Sequence, residues 1–168
     1  MWLDWISDEF QTIPKDDFEQ IFNFKEMYSK SISDFYYIKL CKKYLKYLIT
    51  LLNEIENKKL EDKYNFCYLN IRQEFEELLE LWGLDFNNSS KLWDLYLDFE
   101  KSLLKKFHSL NNEIESSKSL LLIRSIFRRR LSFPHVDLDI VWNEYIKWEN
   151  DEEEKLKVEK KYKEVKIT

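Results

Sequence analysis

A chain of 168 residues with one glycine, two prolines and no alanine lacks the turn residues that a sheet protein needs at its hairpins. Its 17% aromatic content separates it from disordered chains, which cannot bury enough apolar surface to order themselves. A net charge of −5 runs against a free-standing nucleic-acid binder, whose affinity comes from neutralising phosphates.

The periodicity predicts helices at 1–11, 16–31, 34–57, 66–82, 90–112, 117–132, 138–150 and 152–166. Starts are expected at Ser33/Asp34, Ser89/Ser90, Ser116/Ser117 and Asp137, whose side chains can cap free N–H groups. The third of these helices carries one apolar stripe of Ile38, Cys41, Leu45, Leu48, Leu52 and Ile55, and Tyr37, Leu40, Tyr44, Tyr47 and Leu51 widen it. A helix apolar over more than half its circumference must be covered from two sides. Gly83 is expected to end the fourth helix at a positive φ, and Pro134 to stop the sixth. The tail from 152 is a marginal helix, with Val158, Tyr162 and Val165 as a weak stripe.

The longest uncharged stretch, Tyr64 to Ile71, falls far short of the roughly 20 residues that cross a bilayer, and the start Met1-Trp2-Leu3-Asp4-Trp5 is unlike a signal peptide. Cys41 and Cys67 lack metal-type spacing and are expected to be buried thiols. His108 and His135 are expected to be solvated. Gly-rich phosphate loops, nucleophile motifs and paired metal ligands are missing from the sequence, so neither a catalytic role nor a cofactor is expected.

Internal repetition dominates. Trp2, Trp5 and Glu9 recur as Trp93, Tyr96 and Glu100, and again as Trp142, Tyr145 and Glu149; a looser copy lies at Tyr37, Leu40 and Tyr44. Offsets of three and seven lie on one helix face. Between these copies, Ile71-Arg72-x-x-Phe75-x-x-x-Leu79 recurs as Ile123-Arg124-x-x-Phe127-x-x-x-Leu131. Alternation of the two patterns predicts an all-α, right-handed solenoid of antiparallel helix pairs in a single domain, with three to four repeats at roughly 1–32, 33–85, 88–134 and 137–166. Most motif residues are read as packing residues, with Trp93, Trp142 and Phe127 largely buried.

These residues resemble the HAT (half-a-TPR) repeats of suppressor-of-forked-like RNA-processing scaffolds. There the first helix carries Trp-x-x-Tyr with a following Glu, and the second carries Arg-x-x-Phe-x-x-x-Leu, often ending in Pro. Trp93, Tyr96, Glu100, Trp142, Tyr145 and Glu149 match the first pattern; Arg124, Phe127, Leu131 and Pro134 match the second. The run from Leu92 through Pro134 to Glu149 is most similar to the U4/U6 snRNP recycling factors. Leu78 and Arg130 stand where that family usually has a small residue, so packing there must differ. The resemblance implies a nuclear, non-enzymatic scaffold of splicing whose partners are proteins of a ribonucleoprotein. It also implies a longer protein that continues into RNA-recognition motifs.

Two alternatives carry residues of their own. Arg124, Arg128, Arg129 and Arg130, with Lys101 and Lys105, form a basic cluster on an acidic background, read either as a solvated, charge-balanced face or as a patch for RNA or an acidic partner. Used for binding, the three adjacent arginines should tolerate reversal to Glu without loss of helix. A scaffold of mRNA 3′-end processing is the other alternative. At the N-terminus, Trp2, Trp5, Ile6 and Phe10 spread over more than one stripe, and an exposed patch open to self-association is expected there.

Overall fold

The computed structural model describes residues 38–167, and among them it is all-helical with no strand. Six helices follow in order: α1 (Ile38–Asn57), α2 (Glu61–Trp82), α3 (Ser90–Ser109), α4 (Glu113–Arg130), α5 (Leu138–Trp148) and α6 (Glu152–Ile167). The helices expected at 1–11 and 16–31, and with them Trp2 and Trp5, lie outside the described residues. The chain divides into two compact units, Met1–Glu74 and Phe75–Thr168.

In the first unit α1 buries Cys41, Leu45, Leu48, Leu52 and Ile55 of one row and Tyr44 and Leu51 of the other, while Tyr47 is half-buried. Tyr64, Cys67, Tyr68 and Ile71 of α2 are buried as well. Burial pushes the Cys67 thiol up to about 12, which leaves it an inert packing group at neutral pH.

The joint between α1 and α2 repeats between α3 and α4. Leu60 N–H bonds to the carbonyl of Ile55, and Asn112 N–H to that of Phe107. Lys59 and Asn111 take positive φ of 56° and 52°. Each joint is thus a three-residue turn closed by a six-to-one bond around a left-handed residue. The interval from Lys59 to Asn111 equals that from Ile71 to Ile123 and from Phe75 to Phe127.

In the second unit α3 and α4 form an antiparallel pair. Leu92, Trp93, Tyr96, Leu97, Phe99, Leu103 and Phe107 of α3 are buried, as are Ile123, Ile126 and Phe127 of α4. In a chain without alanine the small buried residues of α4 are serines, Ser116 and Ser119.

Several starts differ from expectation. Helix α4 begins at Glu113, capped by the Asn112 side chain, which accepts from Glu115 N–H; Ser116 is already helical and its Oγ donates to the Glu113 carbonyl. Helix α2 begins at Glu61, where two acidic residues suit the positive end of the helix dipole. Ser89 and Asp137 hold their cap positions without capping bonds: Ser89 Oγ donates to the Asp85 carbonyl and Asp137 accepts from Ser90 Oγ.

Gly83 does not take a positive φ. Its role is steric. A Cβ there would sit 2.4 Å from the Leu79 carbonyl oxygen and 3.2 Å from the Trp93 ring, while the Gly83 carbonyl accepts a 2.9 Å bond from Trp93 Nε1. Gly83→Ala should therefore lower stability by about 1–3 kcal/mol, read as a shift of the urea midpoint at unchanged slope.

Candidate functional site

Within the second unit, Phe75 of α2 stacks on Tyr96 of α3, with centroids 4.6 Å apart and planes at 10°. One repeat later Phe127 of α4 meets Tyr145 of α5 at 5.3 Å and Trp148 at 5.4 Å. The Phe of one pair's second helix thus packs on the Tyr of the next pair's first helix. Beyond the area buried, each aromatic pair contributes about 0.5–1.5 kcal/mol. Burial pushes the Tyr145 hydroxyl up to about 12.

The two tryptophans of the motif differ. Trp93 is buried under the Gly83 carbonyl, the Phe133 ring at 6.4 Å and the Arg129 guanidinium at 5.1 Å. Trp142 is less deeply covered than Trp93. Its ring has a stacked partner on one side, Tyr162 at 4.7 Å and 7°, and lacks the loop carbonyl and cation that close over Trp93.

The basic cluster comes apart. Consecutive helical residues point about 100° away from one another, so three adjacent arginines cannot share a face. Arg128 pairs with Glu154 of α6. Arg129 makes a bidentate pair with Glu76 of α2, at 2.7 and 3.0 Å. Arg130 turns inward, 1% exposed, and pairs with Asp94 of α3 at 2.6 Å, its second Nη donating to Ser90 Oγ at 3.1 Å. Arg124, one turn earlier, forks onto Glu149 at 2.8 and 2.9 Å. Lys101 lies half-buried, its ammonium 5.6 Å from the Phe127 ring centre, while Lys105 is exposed. The four arginine charges are thus met by specific carboxylates from neighbouring elements, and Arg130 is buried rather than solvated.

The carboxylates show the cost and its compensation. Burial works to raise the pKa of Glu149, but donors from Arg124 and from the amides of Asp151 and Asn150 outweigh it and hold the carboxyl below its ordinary value. At 3% side-chain exposure Glu149 both ties α4 to the end of α5 and gathers the amides that lead into α6. Glu76 behaves alike: burial works upward, while Arg129 and the Tyr96 hydroxyl, 2.8 Å away, hold it low. Glu100 is fully buried.

His135, expected in solvent, is buried at 8% exposure. Its Nε2 lies 2.9 Å from the Arg130 carbonyl, which can only accept, so Nε2 carries the proton. The ring rests 5.2 Å from that of Phe133. Burial lowers the His135 pKa, and the neighbouring Arg130 charge works the same way. His108 is exposed, as expected; Pro134, counted among the motif's packing residues, is exposed as well.

Sequence reading missed Glu76, Asp94, Asp137, Glu154 and His135 as members of this network. One signal was available: a run of three arginines on a helix must meet three different neighbours.

Among the described residues no group of three or more His, Cys, Asp or Glu is placed to hold a metal, and no helix is long and apolar enough to cross a membrane.

Helix pairs joined by a recurring turn, with the Phe–Tyr contact of Phe75 and Tyr96 repeated at Phe127 and Tyr145, define a helical-repeat protein. A profile of the suppressor of forked (Suf) family matches residues 1–166, and the chain belongs to that family. It is 25% identical over 152 residues to human spliceosome associated factor 3, U4/U6 recycling protein, covering 90% of this chain and 13% of that protein; the counterpart from Pongo abelii matches equally. It is 30% identical over 79 residues to the mRNA 3′-end-processing protein RNA14 of Candida albicans, covering 47% of this chain and 9% of that one. The chain thus spans a small fraction of the curated relatives that it matches.

Two measurements check the network. Arg130→Ala should cost about 2–4 kcal/mol through the lost buried stem and its bonds, while Arg128→Ala, at an exposed pair, should cost less than about 1; equal costs would contradict the burial difference. For His135 the unfolded side chain takes up a proton that the folded one resists, so stability should fall as pH drops below 6.5. In thermal melts between pH 7.5 and 5.5, His135→Gln should remove that component.

Proposed function

We propose that this chain is a non-enzymatic, protein-binding scaffold of pre-mRNA splicing that serves U4/U6 snRNP assembly and recycling in the nucleus. The observation that carries the protein-binding reading is the internal use of the arginines. Arg124, Arg128, Arg129 and Arg130 each hold a carboxylate of the chain itself, so their charge is spent on packing one helix against the next. A surface that binds RNA through phosphate neutralisation needs free cations, and the exposed faces of α3 and α5 mix Lys91, Asp94, Asp98 and Lys105 with Asp139, Glu144 and Lys147. Mixed charge of this kind favours docking of folded or peptide partners. RNA is then reached through those partners.

The choice of splicing over 3′-end processing rests on the longer match to the U4/U6 recycling relatives than to the 3′-end-processing relative. The motif residues Trp93, Tyr96, Glu100, Phe75, Phe127, Trp142, Tyr145 and Glu149 belong to the same reading as packing residues, and so does the division into repeats.

Gel-shift titration with U4/U6 RNA across a salt series tests the proposal. Binding by the purified chain should be weak and should change little with salt, and cross-linking to purified U4/U6 particle proteins should place contacts on the exposed faces of α3 and α5. Tight RNA binding that falls steeply with salt and disappears in Lys101→Ala/Lys105→Ala would overturn it in favour of a direct RNA-binding module.

A further inference from the structure

The arginine run has a second chemical reading, independent of what the chain binds. Arg129-Arg130-Leu131-Ser132 places arginines three and two residues before a hydroxyl, with apolar Phe133 directly after it. That is the charge pattern by which arginine-directed Ser/Thr protein kinases select substrates. We propose that Ser132 is a phosphorylation site for such a kinase, and that the folded repeat buries one of its recognition arginines and pairs the other until the last turn of α4 opens.

Ser132 itself is exposed, in the connection between α4 and α5. A single local bond holds its hydroxyl, 2.7 Å to the Arg129 carbonyl. Its determinants are held differently: Arg129 is locked onto Glu76, Arg130 is 1% exposed and bound to Asp94, and Leu131 is fully buried. A kinase cleft reading both arginines must take them from those partners. Hydroxyl and determinants are therefore available together only in the locally opened state.

The reaction needs only ATP and the kinase. Ser132 Oγ forms the new bond to the γ-phosphorus, the bond from that phosphorus to the oxygen bridging to ADP breaks, and the hydroxyl proton passes to the kinase base. The product opposes reclosure. Phosphoserine has no Oγ proton for the Arg129 carbonyl, and its dianion sits at the negative end of α4. It also competes with Glu76 and Glu154 for Arg129 and Arg128. Modification would thereby loosen the joint that sets one helix pair on the next.

The test compares the purified chain with an unstructured peptide of residues 124–137, using the catalytic subunit of an arginine-directed kinase and labelled ATP. Peptide phosphorylation should be rapid and the chain at least about 100-fold slower, in the ratio given by the opening of the last α4 turn. Hydrogen exchange at the amides of residues 129–132 measures that opening, and the two ratios should agree within about threefold. Glu76→Gln should speed modification of a chain that keeps its helical circular dichroism, Ser132→Ala should abolish it, and the phosphorylated chain should melt several degrees lower. If Glu76→Gln unfolds the chain, the agreement between rate ratio and exchange decides alone. An unmodified peptide would overturn the site, and equal rates for chain and peptide would overturn the concealment. So would a chain rate unrelated to the measured opening.

Discussion

The ring of Phe127 lies between two helix pairs, and much of the second unit follows from that position. Helix α4 is covered by its own partner α3 and again by α5, so it must be apolar in two directions at once. A pair of antiparallel helices cannot satisfy such a helix alone. The next pair has to arrive at a fixed height and rotation, and the Phe–Tyr contact sets both. Phe75 on Tyr96 makes the same demand one repeat earlier, which is how a local spacing becomes a repeating architecture.

Around these rings the charges act as alignment pins. A buried carboxylate is costly unless its bonds are complete, and Glu149 completes them with a guanidinium fork and two backbone amides. Sliding α5 along α4 would leave that carboxylate buried without its donors. The pairs thus contribute geometric specificity even where their net stabilisation is small. Arg130, standing where related repeats carry a small residue, is accommodated because its guanidinium, buried with the stem, is met by the Asp94 carboxylate and the Ser90 hydroxyl.

Much of this was legible beforehand, and the reasons are particular. Offsets of three, four and seven are dictated by the helix itself, so Trp93-Tyr96-Glu100 and Arg124-Phe127-Leu131 announced pairs of helices and their buried faces. Burial of Tyr44 and Leu51 beside the main stripe of α1 followed from counting its circumference. What escaped depended on long-range partners. That Arg128, Arg129 and Arg130 would meet Glu154, Glu76 and Asp94 required knowing which helix lies on each side. His135 looked like a polar loop residue because nothing local shows that the connection folds back over the end of α4. Trp142 and Trp93 share a motif, yet their burial differs because the covering groups come from elsewhere in the chain. Gly83 was noticed for the wrong property: its backbone lies too close to the Leu79 carbonyl and the Trp93 ring for a Cβ, and the second of these is a tertiary contact.

The splay of the three arginines bears on how such a chain can diverge. Inserting or deleting one residue inside α4 rotates everything beyond it by about 100°, handing each guanidinium to the wrong neighbour and swinging Phe127 away from Tyr145. Point substitutions disturb one contact at a time, whereas a change of length inside the helix disturbs all of them together. Relatives can therefore drift to low identity while the helix keeps its residue count, and gains or losses of residues should collect in the turns around Lys59 and Asn111, where the backbone bonds close locally.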